Sequence, residues 1–322
     1  MLMPANGITS YMKETLNANN LKGNWATLLL PVNDDETFNY QKLAEEIVML
    51  IAVGVDGIYS NGTAGEFYNQ TETEYDTVNS ILAEKCLAAG MRFQIGASHP
   101  SPIISLERLK RAVALKPDAI QIILPDWVTV TDSEMLDYLH KMADVAGDIP
   151  LVLYNPPHAK RVLQPVDYEL IRQVPQIIGV KLLSGDEEWV KEMKLRALHL
   201  SIFVPGHFLA TGVANGIASG AYSNVACINP KAAQQWWLMM HTDINAAMEI
   251  EKSILAFFKE CIAPLQQQGY SNPALDKFLA AVGGWYQVGT RLRWPYKGIP
   301  ESEVPAVRER ARQMIPYFFD EV

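Results

Sequence analysis

The sequence predicts an α/β chain folded as a (β/α)8 TIM barrel with a C-terminal helical extension. Three observations predict it. Short apolar runs alternate with longer segments of helical periodicity. Eight such units fit into about 220 residues with no compositional break, which suits one barrel better than a doubly wound sheet. Beyond residue 230 the pattern is helical only.

The elements follow in order. Residues 24–30 read as the first strand, and Asn39 to Val53 as a helix with Leu43, Ile47, Leu50 and Ile51 on its apolar stripe. Gly57 to Asn61 is the second strand. Thr71 to Ala89 is a helix whose opening Thr71-Glu-Thr-Glu74 is a capping-type start. Phe93 to Ala97 is the third strand, with its helix over 102–115. Ala119 to Leu124 is the fourth, followed by a helix from Asp132 to Ala146. The fifth strand ends at Tyr154 and the sixth near Lys181, before a helix from Asp186 to Leu198. Ser201 to Pro205 is the seventh strand, and Gly216 to Ser219 the eighth. Helices are expected over 230–243, 244–267, 273–284 and 302–316. The organisation is thus an N-terminal extension (1–20), a barrel (21–243) and a C-terminal helical segment (244–322).

Bulk composition narrows the function. The chain has 322 residues, 49% hydrophobic and 20% charged, as a globular enzyme does. Its net charge of −9, without a basic cluster, removes the phosphate-neutralising attraction that nucleic-acid binding needs. Cys86, Cys227 and Cys261 form no metal or disulfide pattern, which favours a reducing, cytoplasmic setting. Met1 to Asn20 lacks the basic and apolar regions of a signal peptide, and no apolar run is long enough to cross a membrane. His99 and His207 belong to no HxH or HExxH pattern, so no metal is expected.

A barrel places its active groups at the C-terminal ends of the strands. Asn61 to Glu66, His99, Trp127, Tyr154, Lys181, Gly206-His207 and Ala218-Ser219 all fall there on this reading. Trp127, Gly206, Ala218 and Ser219 are therefore expected to line the substrate pocket. Lys181 ends an apolar run in Pro175-Gln-Ile-Ile-Gly-Val-Lys-Leu-Leu-Ser-Gly-Asp186. A desolvated lysine has a lowered pKa, and its neutral amine can attack a carbonyl to form a Schiff base. The alternative is a strand-end lysine with its head in water. The strand alone leaves both open. Tyr154-Asn-Pro-Pro157 adds a phenol able to move a proton, or one that merely caps the core. Gly62-Thr-Ala-Gly-Glu66 offers backbone N–H groups and the Thr63 hydroxyl in a turn suited to a carboxylate, or an ordinary glycine-bearing connection. It is neither GxGxxG nor a P-loop, so no nucleotide is implied.

Together, Gly62-Thr-Ala-Gly-Glu66, Tyr154-Asn-Pro-Pro157 and Gly179-Val-Lys-Leu-Leu-Ser-Gly-Asp186 resemble the dihydrodipicolinate synthase/N-acetylneuraminate lyase family in order and spacing. Leu21-Lys-Gly23, Pro31-Val-Asn-Asp34 and Gly54-Val-Asp-Gly57 extend the resemblance, which runs from about residue 20 to 316. It implies a homotetramer or homodimer and a Schiff base between Lys181 and a 2-oxo acid, typically pyruvate, with no separate cofactor. Tyr154 would be the acid/base group, and Gly62, Thr63, Ala64 and Gly65 would hold the oxo-acid carboxylate. The sequence also departs from the family. Ala64 stands where a second hydroxyl is usual. Pro125-Asp126-Trp127 replaces a Pro-Tyr-Tyr context whose tyrosine completes a neighbouring subunit's proton relay, and an indole can donate a hydrogen bond but not shuttle a proton. Ala159 stands where the synthase branch has an arginine, and Gly206-His-Phe-Leu209 where the lyase branch has an Asp-Glu pair.

The expected function is aldol cleavage or condensation of a 2-oxo acid through a Lys181 imine. Dehydration of a 2-keto-3-deoxy sugar acid by the same imine is the enzymatic alternative. A non-catalytic oxo-acid-binding protein is the alternative of another class. Trp127 and Phe208 near the rim suggest an acceptor pocket less polar than one built for a long polyol.

Overall fold

The computed structural model describes residues 13–183 and 185–319. Met1 to Met12, most of the stretch read for a signal peptide, and Ser184 of the lysine motif lie outside the described residues. Eight parallel strands close into a barrel in sequence order. They are β1 Gly23–Thr27, β2 Gly57–Tyr59, β3 Phe93–Gly96, β4 Ala119–Ile122, β5 Leu151–Tyr154, β6 Ile177–Lys181, β7 Ser201–Pro205 and β8 Gly220–Ser223. The expected TIM barrel is what the chain forms.

The barrel helices are α1 Tyr40–Val53, α2 Glu72–Ala89, α3 Pro102–Ala114, α4 Asp132–Ala146, α5 Asp167–Ile171, α6 Glu187–Arg196, α7 Leu209–Ala214, α8 Val225–Ile228 and α9 Pro230–Met239. The C-terminal segment adds α10 Ile244–Phe257, α11 Ala263–Gln267, α12 Asn272–Gly283 and α13 Val304–Met314. Thr71 and Glu74 form a reciprocal capping box at the start of α2, as the sequence there predicts, and Thr131 and Glu134 repeat it at α4. Three short helices, α5, α7 and α8, have four to six residues each, too few to show a helical period in sequence. The long helix expected over 244–267 is interrupted by a π-helical turn at Phe258–Ile262. Pro264 has no N–H to give the carbonyl four residues before it, so the regular ladder cannot run through.

One strand must be corrected. Gly216 to Ser219 is not the eighth strand but the connection out of α7, where the Ile217 and Ala218 N–H groups both donate to the Gly212 carbonyl. The strand begins one residue later, and Ser219 accepts from the Gly23 N–H at the start of β1. Ala218 and Ser219 therefore lie at the N-terminal end of the barrel, opposite the rim. The apolar Ile217 imitates a strand. The true β8, Gly-Ala-Tyr-Ser, carries one large side chain, Tyr222, among small residues, and it opens on a glycine because neighbouring backbone crowds it there. A Cβ on Gly220 would lie 2.3 Å from the Gly23 carbonyl oxygen.

Strand alternation separates two cores. Trp25, Tyr59, Val152, Phe203 and Tyr222 fill the barrel interior, with Leu16 and Leu21 buried beside them. Outward residues such as Ile95, Ile120, Leu153 and Val180 pack under the helices in a second, larger cluster. Each such aliphatic side chain contributes roughly 1.5–3 kcal/mol on burial. The C-terminal helices join that outer cluster through Phe257, Leu279 and Phe278.

Candidate active site

Tyr154 and Lys181 are register partners at the C-terminal ends of β5 and β6. Val180 faces the outer core, so strand alternation turns Gly179 and Lys181 inward. The Lys181 Nζ sits among three tyrosine rings, 4.3 Å from the centre of Tyr154, 5.1 Å from Tyr59 and 5.4 Å from Tyr222. Burial lowers its pKa from 10.5 to about 8, partly offset by the Asp276 carboxylate and the Cys227 thiol. A measurable fraction is thus a free amine near neutral pH, as nucleophilic attack on a carbonyl requires. Of the two readings of this lysine, the water-snorkelling one does not describe its surroundings.

The Tyr154 hydroxyl shares a 3.1 Å hydrogen bond with Thr63 Oγ1. Burial raises the phenol's pKa, and the Asp276 charge adds to the rise. Tyr154 therefore stays protonated and is suited to giving a proton and taking it back. Thr63 and Ala64 line the same cavity, and the turn that carries them is tightly built. Asn61 and Glu66 flank it in the left-handed backbone region, with φ of 55° and 51°. Gln70 Nε2 donates to both the Asn61 side chain (2.9 Å) and the Gly65 carbonyl (2.8 Å). At Gly65 a Cβ would lie 2.8 Å from the Asn61 nitrogen, so the fold of the turn demands glycine there. Gly62 and Gly65 shape the turn; its lining groups are Thr63 and Ala64.

The cavity above Lys181 holds about 360 Å³. Its far walls come from places the sequence reading did not reach. Asn272, Leu275, Asp276 and Leu279 of α12 recur at helical spacing and present one stripe to it. Phe258, Ile262 and Gln266, four residues apart along the π-helical turn and α11, present another. His207 stacks on Phe258 with ring centres 4.9 Å apart, and its Nδ1 is 2.9 Å from the Asn224 amide nitrogen. Burial lowers the His207 pKa, so the imidazole is neutral. Asp276 is pushed up from 3.8 to about 7 by burial, against the pull of Lys181.

The other expected site residues fall as follows. Trp127 is 81% exposed on the loop after β4 and does not line the cavity. Gly206 lies under the rim, where a Cβ would meet the Ser223 hydroxyl at 2.6 Å. It makes room for the wall that its neighbours Pro205 and His207 provide. Ala218 and Ser219 are at the wrong end of the barrel, and Tyr222 and Asn224 stand where they were expected. Phe208 is also outside the lining, so the apolar wall rests on Phe258, Ile262, Leu275 and Leu279 instead. Glu66 is fully buried in a 2.6 Å ion pair with Lys277, which also donates to the Arg291 carbonyl at 2.8 Å. His99 accepts from the Ser101 N–H at the head of α3. Arg161 is held by Asp132 and Asp167. Among the described residues, no three His, Cys, Asp or Glu side chains gather as a metal site, and no helix is long and apolar enough to cross a membrane.

One sequence signal for the α12 wall was present. Asp276-Lys277 interrupts the otherwise apolar run Pro273 to Val282, and adjacent charges in such a run need a buried purpose.

Comparison with known proteins places this geometry. An N-acetylneuraminate lyase of Escherichia coli (strain SE11) is 28% identical over 173 residues, 52% of this chain and 57% of that protein. A 4-hydroxy-tetrahydrodipicolinate synthase of Thermoanaerobacter sp. (strain X514) is 29% identical over 174 residues, 53% of this chain and 58% of that protein. The chain thus spans little more than half the length of these curated relatives. In fold the likeness extends over most of the chain. YagE, a prophage protein of E. coli K12 solved in complex with pyruvate, superposes with a TM-score of 0.79 at 19% identity, over 92% of this chain and 99% of that one. N-acetylneuraminate lyase from Fusobacterium nucleatum does so with a TM-score of 0.78 at 20% identity, over 92% and 99%. The match to the dihydrodipicolinate synthetase family runs over residues 20–314, from the approach to β1 through the end of α13, and the chain belongs to that family.

Proposed function

We propose that the chain is a cytoplasmic lyase that makes or breaks a carbon–carbon bond next to an imine formed between Lys181 and a 2-oxo acid, pyruvate in the simplest case. The observation that carries this reading is the Lys181 amine, with its pKa lowered by burial, beside a tyrosine whose hydroxyl is tied to Thr63. The neutral amine adds to the C2 carbonyl, Tyr154 protonates the departing oxygen, and water leaves. The protonated imine then withdraws electrons from C3, so a bond from C3 to a new carbon can form or break. The Thr63–Ala64 turn holds the carboxylate. The imine supplies the electron sink, and the reading requires no separate cofactor. Relatives named as a lyase and a synthase support the reaction class, and a pyruvate complex of a protein of the same fold supports the substrate class. The enzyme works as a homotetramer or homodimer, in which the exposed Trp127 and Val128 meet a neighbouring copy.

Borohydride reduction in the presence of pyruvate, followed by intact mass and peptide mapping, tests the mechanism. The expected result is a gain matching reduced pyruvyl-lysine, mapped to Lys181 and absent in Lys181→Ala. A folded protein that gains no adduct with any 2-oxo acid would leave an oxo-acid-binding protein as the better reading.

A further inference from the structure

The C-terminal helix α12 brings a carboxylate into a cavity whose floor is built from barrel strand ends. Asp276 lines the cavity on the stripe Asn272, Leu275, Asp276, Leu279. Its neighbour Lys277 points the other way, into the fully buried ion pair with Glu66. Glu66 closes the Gly62–Glu66 turn, so this pair ties α12 directly to the turn that holds Thr63 and Ala64. Asp276 is therefore fixed relative to the oxo-acid end of the cavity. Among the described residues no carboxylate is in ion-pair contact with Lys181, although Asp276 shares its cavity. Both side chains line one cavity, and a substrate bound there can meet both.

Tyr154 is poorly placed to serve both ends of a substrate. Its hydroxyl is committed to Thr63, and the second hydroxyl that could relay its proton is absent at Ala64. Its pKa is raised, so at neutral pH it holds its own proton and can accept one only after giving that proton away. The walls beyond it offer Phe258, Ile262, Leu275 and Leu279, none of which can accept a proton. Two imidazoles also line the cavity: His207 is engaged through Nδ1 with Asn224, and His158 sits exposed on the loop after β5.

We propose that Asp276 is the catalytic acid/base for the acceptor oxygen, the C4 hydroxyl of a 4-hydroxy-2-oxo acid bound as the Lys181 imine. This rests on the imine reading above. In cleavage, the Asp276 carboxylate takes the C4 hydroxyl proton and the C3–C4 bond breaks. Its electron pair forms the C2–C3 double bond as the iminium nitrogen becomes neutral, and C4 leaves as an aldehyde. In condensation, the C3 enamine attacks the aldehyde and protonated Asp276 delivers its proton to the new alkoxide. The reaction is redox-neutral. Tyr154 is left with the oxygen lost at C2. A carboxyl group balanced near neutrality is suited to both directions.

The test uses pyruvate with a panel of aldehydes, hexanal and benzaldehyde as apolar acceptors and glyceraldehyde as a polar one. Adduct trapping is measured in parallel. The expected result is that Asp276→Asn, with an unchanged melting transition, still gains the borohydride-reduced pyruvyl mass at Lys181 while aldehyde uptake falls at least about 100-fold. In Asp276→Ala, added formate restores part of the uptake. Unchanged uptake in Asp276→Asn overturns the assignment, as does loss of the adduct in a folded variant, which would make Asp276 part of imine formation. Wild-type protein that traps pyruvate but takes up no aldehyde overturns the assignment while leaving the imine reading intact. Wild-type protein that traps no 2-oxo acid overturns both.

Discussion

At Lys181 the same desolvation that frees the amine costs stability. The folded protein holds its pKa at about 8 against 10.5 when exposed, so between those values the unfolded chain binds more protons than the folded one. Stability contributed at this residue therefore rises with pH through that window and is lowest below it. Lys181→Met, which removes the charge and keeps the stem, is expected to raise stability at pH 7 by on the order of 2 kcal/mol, read as a higher melting temperature, while abolishing the pyruvate adduct. The chemistry follows the same titration. Initial rates of adduct formation at limiting borohydride should climb with pH up to about 8 and then level. Because Asp276 pulls the Lys181 pKa upward, Asp276→Asn should move that profile to lower pH; an unmoved profile would mean that the two groups do not sense each other. Tyr154→Phe should slow turnover by about 10²–10⁴-fold, and Thr63→Val by less, because the phenol remains.

Among the elements, α12 is the one that joins structure to site. The Lys277–Glu66 pair is wholly out of water, and removing one partner of such a pair costs about 3–5 kcal/mol by stranding the other charge. Lys277→Met should therefore lower the denaturant midpoint, and Lys277→Met with Glu66→Gln should recover much of the loss. A double variant no better than the single would mean that packing, not charge, dominates there. The same helix crosses α8 at Gly283, where a Cβ would fall 1.6 Å from the Ile228 carbonyl oxygen. Backbone cannot yield as a side-chain end can. Gly283→Ala should thus cost at least about 1–3 kcal/mol, read from the same midpoint. Since α12 would have to move, cavity-wall function should suffer as well.

For the whole molecule, a second buried carboxyl contributes to the pH dependence of stability. Glu46 lies in the outer core, accepts from the Leu29 N–H at 2.9 Å, and is pushed by burial from 4.5 to about 8. The folded state thus holds a proton that the unfolded chain releases above about 4.5, so this residue lowers stability as pH rises from about 4.5 to about 8. Glu46→Gln keeps the acceptor and removes the titration. Its melting temperature should fall less steeply over that range than the wild type's. Parallel profiles for the two proteins would place the pH response elsewhere.

The barrel was legible in the sequence because it rests on local pattern. Seven strands and the long helices declare themselves through period-two or period-3.6 burial and through caps such as Thr71–Glu74, all set by residues near one another in the chain. Tyr154 and Lys181 were legible because strand-end chemistry in a barrel converges on one rim whatever the loops do. The eighth strand was not, since the glycine that opens it answers to the crowding of β1 against Gly220, a pairing of neighbouring strands that lie at opposite ends of the barrel sequence. Nor was the acceptor wall. Asp276 shares the cavity with Lys181 from 95 positions further along the chain, and only the packing of α12 against α8 and the Glu66–Lys277 pair decides which face of that helix meets the cavity. By itself the sequence determined the scaffold and the imine-forming lysine, which depend on spacing along the chain. The tertiary structure decided what stands opposite that lysine, because long-range packing alone selects which distant helix closes the site.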